Sequence, residues 1–340
     1  MRSIRGLVLI AILFGASTTA GAQDPIVIRF SQLVPPTHPY HTNILVPWSA
    51  AVAKATSGRV KIEITTAPLG AMPRNFDLVV TGVADAAGGN HALTPGRFQI
   101  TQIVQTVVGT DSPEAVSVAF WRTHKRFLEQ ANEHAGAHVL ALHVSGSLHL
   151  FTTNKEVRAL EDIKGLKLLA PGPVASKLVE NLGGVPIARP VTEYYDLVSK
   201  GVVDGAFSSN SAIGGFKVDP FMKHRIEIPG GYHFSSFFVV VNQKKWDSIG
   251  KAERDAIERV SGEEYAKLAG KALGEQQDSL LADFKKKGTM QMNTASAETM
   301  AGLKKTLEFF DRDWVAAAKT KGVDGEAALR FFREQAAAYK

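Results

Sequence analysis

The sequence predicts an α/β protein of two similar lobes, each a mixed, mostly parallel sheet flanked by helices. The main observation is a repeat: residues 77–86, DLVVTGVADA, return 119 residues later as residues 196–205, DLVSKGVVDG. Each copy reads as a helix end, a glycine stop at Gly82 or Gly201, and a short apolar strand. Glycine suits the left-handed position just past a helix C-terminus. Because strand–helix patterns precede both copies, two α/β units with a cleft between them are expected.

Strands and helices alternate through the first unit, which is the pattern of a largely parallel sheet. Pro73 suits the first residue of a helix that Gly82 closes, and the run Asp111–Glu114 is typical of a helix start. The expected strands are 26–31, 60–65, 83–87 and 139–144, and the other expected helices are about 43–55 and 113–131.

The second unit repeats the alternation, and a long segment then returns to the first. Its expected strands are 166–170, 185–188 and 202–207, with helices at about 174–182 and 192–200 and another opening at 208–210. The nearly continuous apolar run 234–241 predicts a strand buried on both faces, able to carry the chain back to the first lobe. Residues 251–286 keep a helical pattern, and a helix of that length would be roughly 54 Å long and cross both lobes. Two helices near 296–317 and 324–338 end the chain.

The first residues indicate export. Arg2 and Arg5 precede an apolar run from Leu7 to Ala16, and Ala20–Ala22 offers an A-x-A cleavage site. This is the pattern of a secretory signal peptide, removed as residues 1–22, and the run is too short for a lasting membrane span.

Composition narrows the class of function. There is no cysteine, so disulfides and thiolate metal sites are unavailable. The formal charge of +6 falls to +4 without Arg2 and Arg5, and no basic run suggests nucleic acid. The sequence has no Gly-x-Ser-x-Gly elbow and no His-Glu-x-x-His helix, although acid pairs stay open as a route to an exported enzyme.

Several motifs together resemble the DctP family, the solute-binding proteins of TRAP (tripartite ATP-independent periplasmic) transporters. They are residues 162–172 (DIKGLKLLAPG), 192–195 (TEYY), 201–205 (GVVDG), 151–155 (FTTNK), 82–85 (GVAD) and 241–246 (VNQKKW). The resemblance covers nearly the whole mature chain in the same order.

The resemblance implies the two-lobed periplasmic binding protein fold with a long helix spanning both lobes. The first lobe would be residues 23–146 plus 234–273, and the second lobe 147–233 plus 274–340. It implies a monomeric periplasmic protein, not an enzyme, that captures a small organic molecule and delivers it to TRAP membrane subunits without cofactor or metal. A sensory binding protein of the same fold is the alternative.

The chain departs from the family where carboxylates are usually bound. The arginine that forms a two-pronged ion pair with the substrate corresponds to Leu169, and a second family arginine corresponds to His149. A family asparagine corresponds to Ser208, with Asn210 nearby. The usual clamp is therefore expected to be missing, and the ligand is a carboxylate, an aromatic compound or a neutral polar one. If it is an acid, His149 is expected to share its charge, so that binding weakens as pH rises past neutrality.

Ligands of open α/β sheets bind beyond the carboxyl ends of strands, which here are followed by loops 32–41, 88–91, 171–172 and 208–210. The predicted ligand-binding residues are Gln32, Tyr40, Asn90, His91, His149, Leu169, Gly172, Ser208, Asn210, Tyr232 and Phe234. His38, His41 and His91 are the histidines that could gather at a zinc ion, but no acid or further histidine lies at ligand spacing, which disfavours a metal site. Arg189 is a further candidate for replacing the missing arginine.

Overall fold

The computed structural model describes residues 24–339, apart from residues 33, 95, 107 and 231–233. The expected signal peptide and Tyr232 therefore lie outside the described residues. The strands are β1 (Ile26–Ser31), β2 (Val60–Ile64), β3 (Ala86–Asn90), β4 (Ala137–Val144), β5 (His149–Thr152), β6 (Lys167–Leu169), β7 (Val185–Ile187), β8 (Gly205–Ser208), β9 (His224–Glu227), β10 (Ser236–Asn242) and β11 (Gln291–Thr294). The α-helices are α1 (Val46–Ala55), α2 (Asn75–Val80), α3 (Pro113–Thr123), α4 (Pro173–Asn181), α5 (Tyr194–Ser199), α6 (Asn210–Gly215), α7 (Gln243–Asp247), α8 (Lys251–Arg259), α9 (Gly262–Lys287), α10 (Ala297–Thr320) and α11 (Gly325–Ala338).

Within these described residues, the strands form one sheet per lobe, and the two sheets share a plan. The first lobe has the order β2-β1-β3-β10-β4, and the second has β7-β6-β8-β5-β9-β11. Three parallel strands begin each sheet, and an antiparallel strand, β10 or β5, follows them. The predicted class, two α/β lobes with mixed sheets, is confirmed.

Each of those antiparallel strands follows a crossing between lobes. The chain leaves β4 of the first lobe and enters β5 of the second, and later leaves β9 and enters β10. As the sequence predicts, β10 is buried on both faces: Phe238 and Val240 pack in one core cluster, and Val239 and Val241 in the other.

Three short strands, β5, β9 and β11, were not predicted. Each spans four residues, and polar residues interrupt their apolar signal. Arg225 in β9 is only 1% exposed, and His149 in β5 only 5% exposed. Burial of such residues depends on partners elsewhere in the fold, which a local pattern does not contain.

The repeated motif has the predicted structure in both lobes. Helices α2 and α5 end before Gly82 and Gly201, which adopt φ of +79° and +65°. A left-handed backbone strains residues with a Cβ, so glycine stops both helices in the same way. The apolar strands β3 and β8 follow.

The predicted continuous helix 251–286 is wrong at one point. It is broken between α8 and α9, where Gly262 has φ +53° and a Cβ on it would lie 2.8 Å from the Trp121 ring of α3. The close approach of α3 thus favours glycine and a turn at this position. Helix α9 still spans both lobes, with Tyr265 in a first-lobe core and Phe284 in a second-lobe core.

The two C-terminal helices differ from their predicted assignment to the second lobe. Leu303 and Leu307 of α10 pack in a second-lobe core, but Phe310 and Trp314 join the first-lobe core, as does Phe332 of α11. The Trp314 indole N–H donates to the carbonyl of Ile100 at 3.0 Å. Helix α10 therefore bridges the lobes, and α11 belongs with the first lobe.

A polar network ties the crossing segments to α9. The Ser145 N–H donates to the Ser235 carbonyl at 2.9 Å, and the Ser235 N–H donates to Oγ of Ser145 at 3.1 Å. Gln277 of α9 donates from Nε2 to the Ser147 carbonyl at 3.2 Å, and its Oε1 accepts the N–H of Ser211 at 2.7 Å. These bonds join the two crossing segments to each other and fasten the first of them to α9. In the described part of the chain, no helix combines the length and apolarity that crossing a bilayer requires.

Candidate functional site

A cavity of about 190 Å³ lies between the lobes. Its walls include the carboxyl ends of three parallel strands: Asn90 ends β3, Leu169 ends β6 and Ser208 ends β8. The crossing segments contribute Ser145 and Ser235. The cavity therefore lies where the connectivity of both sheets places a ligand.

The cavity walls are mainly apolar. The side chains that carry this character are Val34, Met72, Leu93, Leu148, Leu169, Ala175, Val191, Ala206, Ala212, Phe216, Phe237 and Leu273. A dry cavity of about 150 Å³ can hold a benzene ring. This cavity therefore has room for one aromatic ring with a small substituent.

The lobes touch beside this cavity at two places. Gly172, the N-cap of α4, has φ +93°, and a Cβ on it would lie 3.5 Å from the Cβ of Ala92 in the first lobe. A Cβ on Gly215 of α6 would lie 3.1 Å from Nε2 of His38. Glycine at these points lets the two rims meet.

No lysine, arginine, aspartate or glutamate of the described ranges lines the cavity. Arg189, considered as a replacement for the missing family arginine, instead pairs with Glu193 at 2.7 Å on the surface. Arg225 is buried in the second lobe, where its Nε donates to Oδ1 of Asn210 at 3.1 Å. The polar residues that line the cavity are neutral, and three of them can titrate: His38, Tyr40 and His143.

Two of those titratable groups, Tyr40 and His143, belong to a buried hydrogen-bonded row. The Tyr40 hydroxyl lies 3.0 Å from Nε2 of His143 and 2.9 Å from the Tyr265 hydroxyl. Nδ1 of His143 lies 3.2 Å from the Val144 carbonyl, which only accepts, so Nδ1 carries the proton of the neutral ring. Tyr40 then donates to His143 and accepts from Tyr265. Burial lowers the pKa of His143 to about 4, which keeps the ring neutral near pH 7.

Phe237 of β10 and His38 complete this side of the cavity. The Phe237 ring stacks on His143 with centroids 5.2 Å apart and planes 6° from parallel. Nδ1 of His38 accepts the Tyr40 N–H at 3.1 Å, so the neutral ring carries its proton on Nε2. Burial lowers the pKa of His38.

His149 is held by the protein itself. Its Nδ1 accepts the N–H of Ile228 at 3.2 Å, and its Nε2 lies 3.4 Å from Oγ of Ser147. Burial and, second, the nearby positive charge of Arg225 lower the pKa of His149 to about 3. His149 is absent from the cavity lining, so the structure does not support the expectation that its titration governs binding near neutrality.

The structure brings four of the eleven predicted ligand residues to the cavity: Tyr40, Asn90, Leu169 and Ser208. The Asn90 side-chain oxygen accepts the Ala92 N–H at 2.9 Å, so its NH₂ is the end able to donate to a ligand. Gly172 lies at the rim, next to Pro171 of the lining.

The other described candidates lie behind the cavity walls. The Gln32 amide bonds to Nδ1 of His41 at 2.9 Å. Nε2 of His91 lies 3.0 Å from Nε2 of His134 in the first-lobe core. Asn210 donates to the Gln277 carbonyl at 3.1 Å, and Phe234 is fully buried in the core.

Sequence reasoning missed His143, Phe237, Ser211 and Gln276, which all line the cavity. Side chains alternate along a strand, and Ser235 and Phe237 face the cavity while Phe234 and Phe238 face the core. That parity could have indicated Phe237, but only the position of the crossing shows which face is the cleft.

Residues 30–313 match the model of the bacterial extracellular solute-binding protein family 7, DctP. The chain belongs to this family. The resemblance read from the sequence motifs is thereby confirmed, and the DctP family consists of solute-binding proteins.

Among similar solved structures is a TRAP periplasmic solute-binding protein from Bordetella bronchiseptica with bound (R)-mandelate and (S)-mandelate. It is 32% identical, with a TM-score of 0.88, covering 92% of this chain and 99% of that one. A marine metagenome TRAP solute-binding protein specific for aromatic acids, in complex with 3-hydroxybenzoate, is 25% identical with a TM-score of 0.85, covering 93% and 99%. The curated relative TsaT of Comamonas testosteroni, named an outer membrane transporter protein, is 28% identical over 96% of this chain and 97% of its own length.

Proposed function

We propose that this protein is a periplasmic receptor that captures a small aromatic carboxylic acid in the interlobe cleft and delivers it to TRAP membrane subunits. The observation that carries the proposal is the 190 Å³ cavity, whose apolar walls suit one aromatic ring. Support also comes from the two similar TRAP solute-binding proteins described above, whose structures hold mandelate or 3-hydroxybenzoate.

The proposal includes a carboxylate held without an arginine fork. Leu169 presents an apolar surface where the family arginine is expected, and it is 3% exposed. Neutral groups that line the cavity, including the Asn90 amide and the Ser208 hydroxyl, are the proposed partners. Hydrogen bonds to the charged form would lower the cost of burying a carboxylate.

Binding is proposed to close the lobes about the crossing segments without chemical change to the ligand. Ligand contacts with both lobes favour the closed state only if they bind it better than the open state. The contacts between Gly172 and Ala92, and between Gly215 and His38, are the points that closure would bring together.

The test is a thermal-shift and calorimetric screen with (R)-mandelate, 3-hydroxybenzoate, benzamide and succinate. Either aromatic acid at about a hundred times its Kd should add about 2.7 kcal/mol of stability. Small-angle scattering should show a smaller radius with ligand, and mass spectrometry should recover the acid unchanged. Binding of benzamide or succinate with neither aromatic acid bound would refute the proposal.

A further inference from the structure

A buried carboxylate in this cavity needs a positive charge that the neutral lining does not hold. The described lining has no lysine or arginine, and an unpaired buried charge is expensive. Tyr40 and His143 lie together in the wall, and both are almost fully buried.

The order of hydrogen bonds around the Tyr40 hydroxyl leaves it with no proton for a ligand. Its hydroxyl hydrogen is directed at Nε2 of His143, 3.0 Å away, because Nδ1 of that ring already donates to the Val144 carbonyl. Tyr265 meanwhile donates to the Tyr40 oxygen at 2.9 Å.

We propose, resting on the proposed function, that His143 takes up one proton as an aromatic acid enters the cleft, and that Tyr40 then turns its hydroxyl hydrogen to the ligand carboxylate. The proton comes from solvent and forms a bond to Nε2 of His143. That N–H donates to the Tyr40 oxygen, which also accepts from Tyr265 and is free to donate outward. The imidazolium charge balances the carboxylate charge, so the closed cavity gains no net charge.

The surroundings of His143 favour this ring as the group that takes up the proton. Phe237 of β10 stacks on it. Behind β4, Oγ of Ser117 in α3 accepts the Val144 N–H. The titratable groups near it are Tyr40, Tyr265 from α9, and His91, whose pKa is lowered chiefly by burial and to a lesser degree by His124 and His143. His38 lines the same cavity and is the competing site. Burial lowers the pKa of His143 to about 4, and an adjacent anion raises it.

The experiment is calorimetric titration of (R)-mandelate and of 3-hydroxybenzoate in buffers of different ionisation enthalpy, from about pH 5.5 to about pH 8. The expected result is uptake of close to one proton per ligand. Kd should rise by about tenfold per pH unit where the complex is protonated and the empty site is not.

Matched variants assign the proton. Tyr40→Phe and His143→Gln should reduce the uptake towards zero, and His143→Gln should flatten the pH dependence. His138→Gln, on the same strand but stacked on Trp246 away from the cavity, should keep both. Nitrogen NMR shifts of the His143 ring in the wild-type complex report the same protonation if a variant folds poorly.

The outcomes separate this inference from the proposed function. If neither acid binds, both fail. If an acid binds with no proton uptake, the inference alone fails. If uptake persists in His143→Gln and is lost in His38→Gln, the proton belongs to His38, and if it persists in both variants, neither ring takes it up; either result overturns the assignment.

Discussion

Asp85 and Asp204 occupy the same place in the two lobes and make the same pair of hydrogen bonds. Oδ2 of Asp85 accepts the Arg29 N–H at 2.8 Å, and Oδ2 of Asp204 accepts the Lys167 N–H at 2.8 Å. In return, each aspartate donates its own N–H to the carbonyl of that partner, at 3.0 Å and 2.7 Å. The repeated aspartate therefore joins the start of β3 to β1, and the start of β8 to β6.

Asp204→Ala is expected to destabilise the protein by about 1–3 kcal/mol, because the Lys167 N–H loses a charged acceptor at a half-buried site. Chemical denaturation of wild type and variant measures the change. The control is Asp196→Ala, from the same motif, whose 70% exposed side chain lies 3.6 Å from the Lys200 ammonium. It should cost about 0.5 kcal/mol or less. Equal losses in the two variants would contradict the assigned role.

Acid is expected to destabilise the protein through histidines in the first-lobe core. Burial lowers the pKa of His91 to about 3 and of His124 to about 4, and holds that of His134 well below its usual value. The unfolded chain therefore binds more protons than the folded one from about pH 6.5 down to these values. Stability is fully present above that window and falls as pH drops through it, by up to about 1.4 kcal/mol per pH unit for each ring.

The measurement is melting temperature against pH, with (R)-mandelate absent. His134→Gln should lower the melting temperature at neutral pH and make its fall in acid shallower. The variant removes one of the two buried rings whose Nε2 atoms lie 3.0 Å apart. A wild-type melting temperature that stays constant from about pH 6.5 to about pH 4 would contradict this account.

Ala212→Leu is expected to weaken binding of an aromatic acid by at least about tenfold, because the added carbons occupy the cavity where one ring fits. Calorimetry measures Kd, and thermal unfolding without ligand checks that the fold is kept. The control Ala297→Leu makes the same change on the exposed face of α10. Unchanged affinity in Ala212→Leu would place the ligand elsewhere.

Gln277→Ala is expected to loosen the orientation of the lobes. Its carboxamide donates to the Ser147 carbonyl and accepts the Ser211 N–H. Loss of these hydrogen bonds should lower the free energy of unfolding by about 1–3 kcal/mol. Without ligand, scattering should show a larger radius, and amide exchange should rise at residues 145–148. Glu275→Ala, an exposed residue of the same helix, should change neither. A variant as compact and protected as wild type would show that the hinge is held by other contacts.

Export is expected to remove residues 1–22, which lie outside the described residues. Intact mass of the periplasmic protein should correspond to a chain starting at Gln23. Recovery of a periplasmic chain that still carries Met1 would exclude cleavage.

Sequence reasoning succeeded where the signal is local. Strands β1, β2 and β4, the glycine stops at Gly82 and Gly201, and the buried strand β10 all follow from apolar periodicity or backbone conformation. It failed at β9 and β5, because Arg225 and His149 are residue types usual at the surface. Their burial depends on hydrogen bonds with Asn210 and with the Ile228 N–H, which form only in the folded protein.

For the site, the sequence by itself predicted which loops gather at the cleft, since connectivity is a property of the chain, and motif order led to the expectation that Leu169 replaces a family arginine. The tertiary structure alone decided which histidine faces the cavity. His149 and His143 both lie in buried strands near a crossing, and no local pattern separates them. The two rings differ in their hydrogen-bond partners. Ile228 and Ser147 bond to the two nitrogens of His149, whereas His143 bonds to Tyr40 in the cavity wall. Those contacts join residues up to 103 positions apart, and only the folding of each lobe brings them within hydrogen-bond distance.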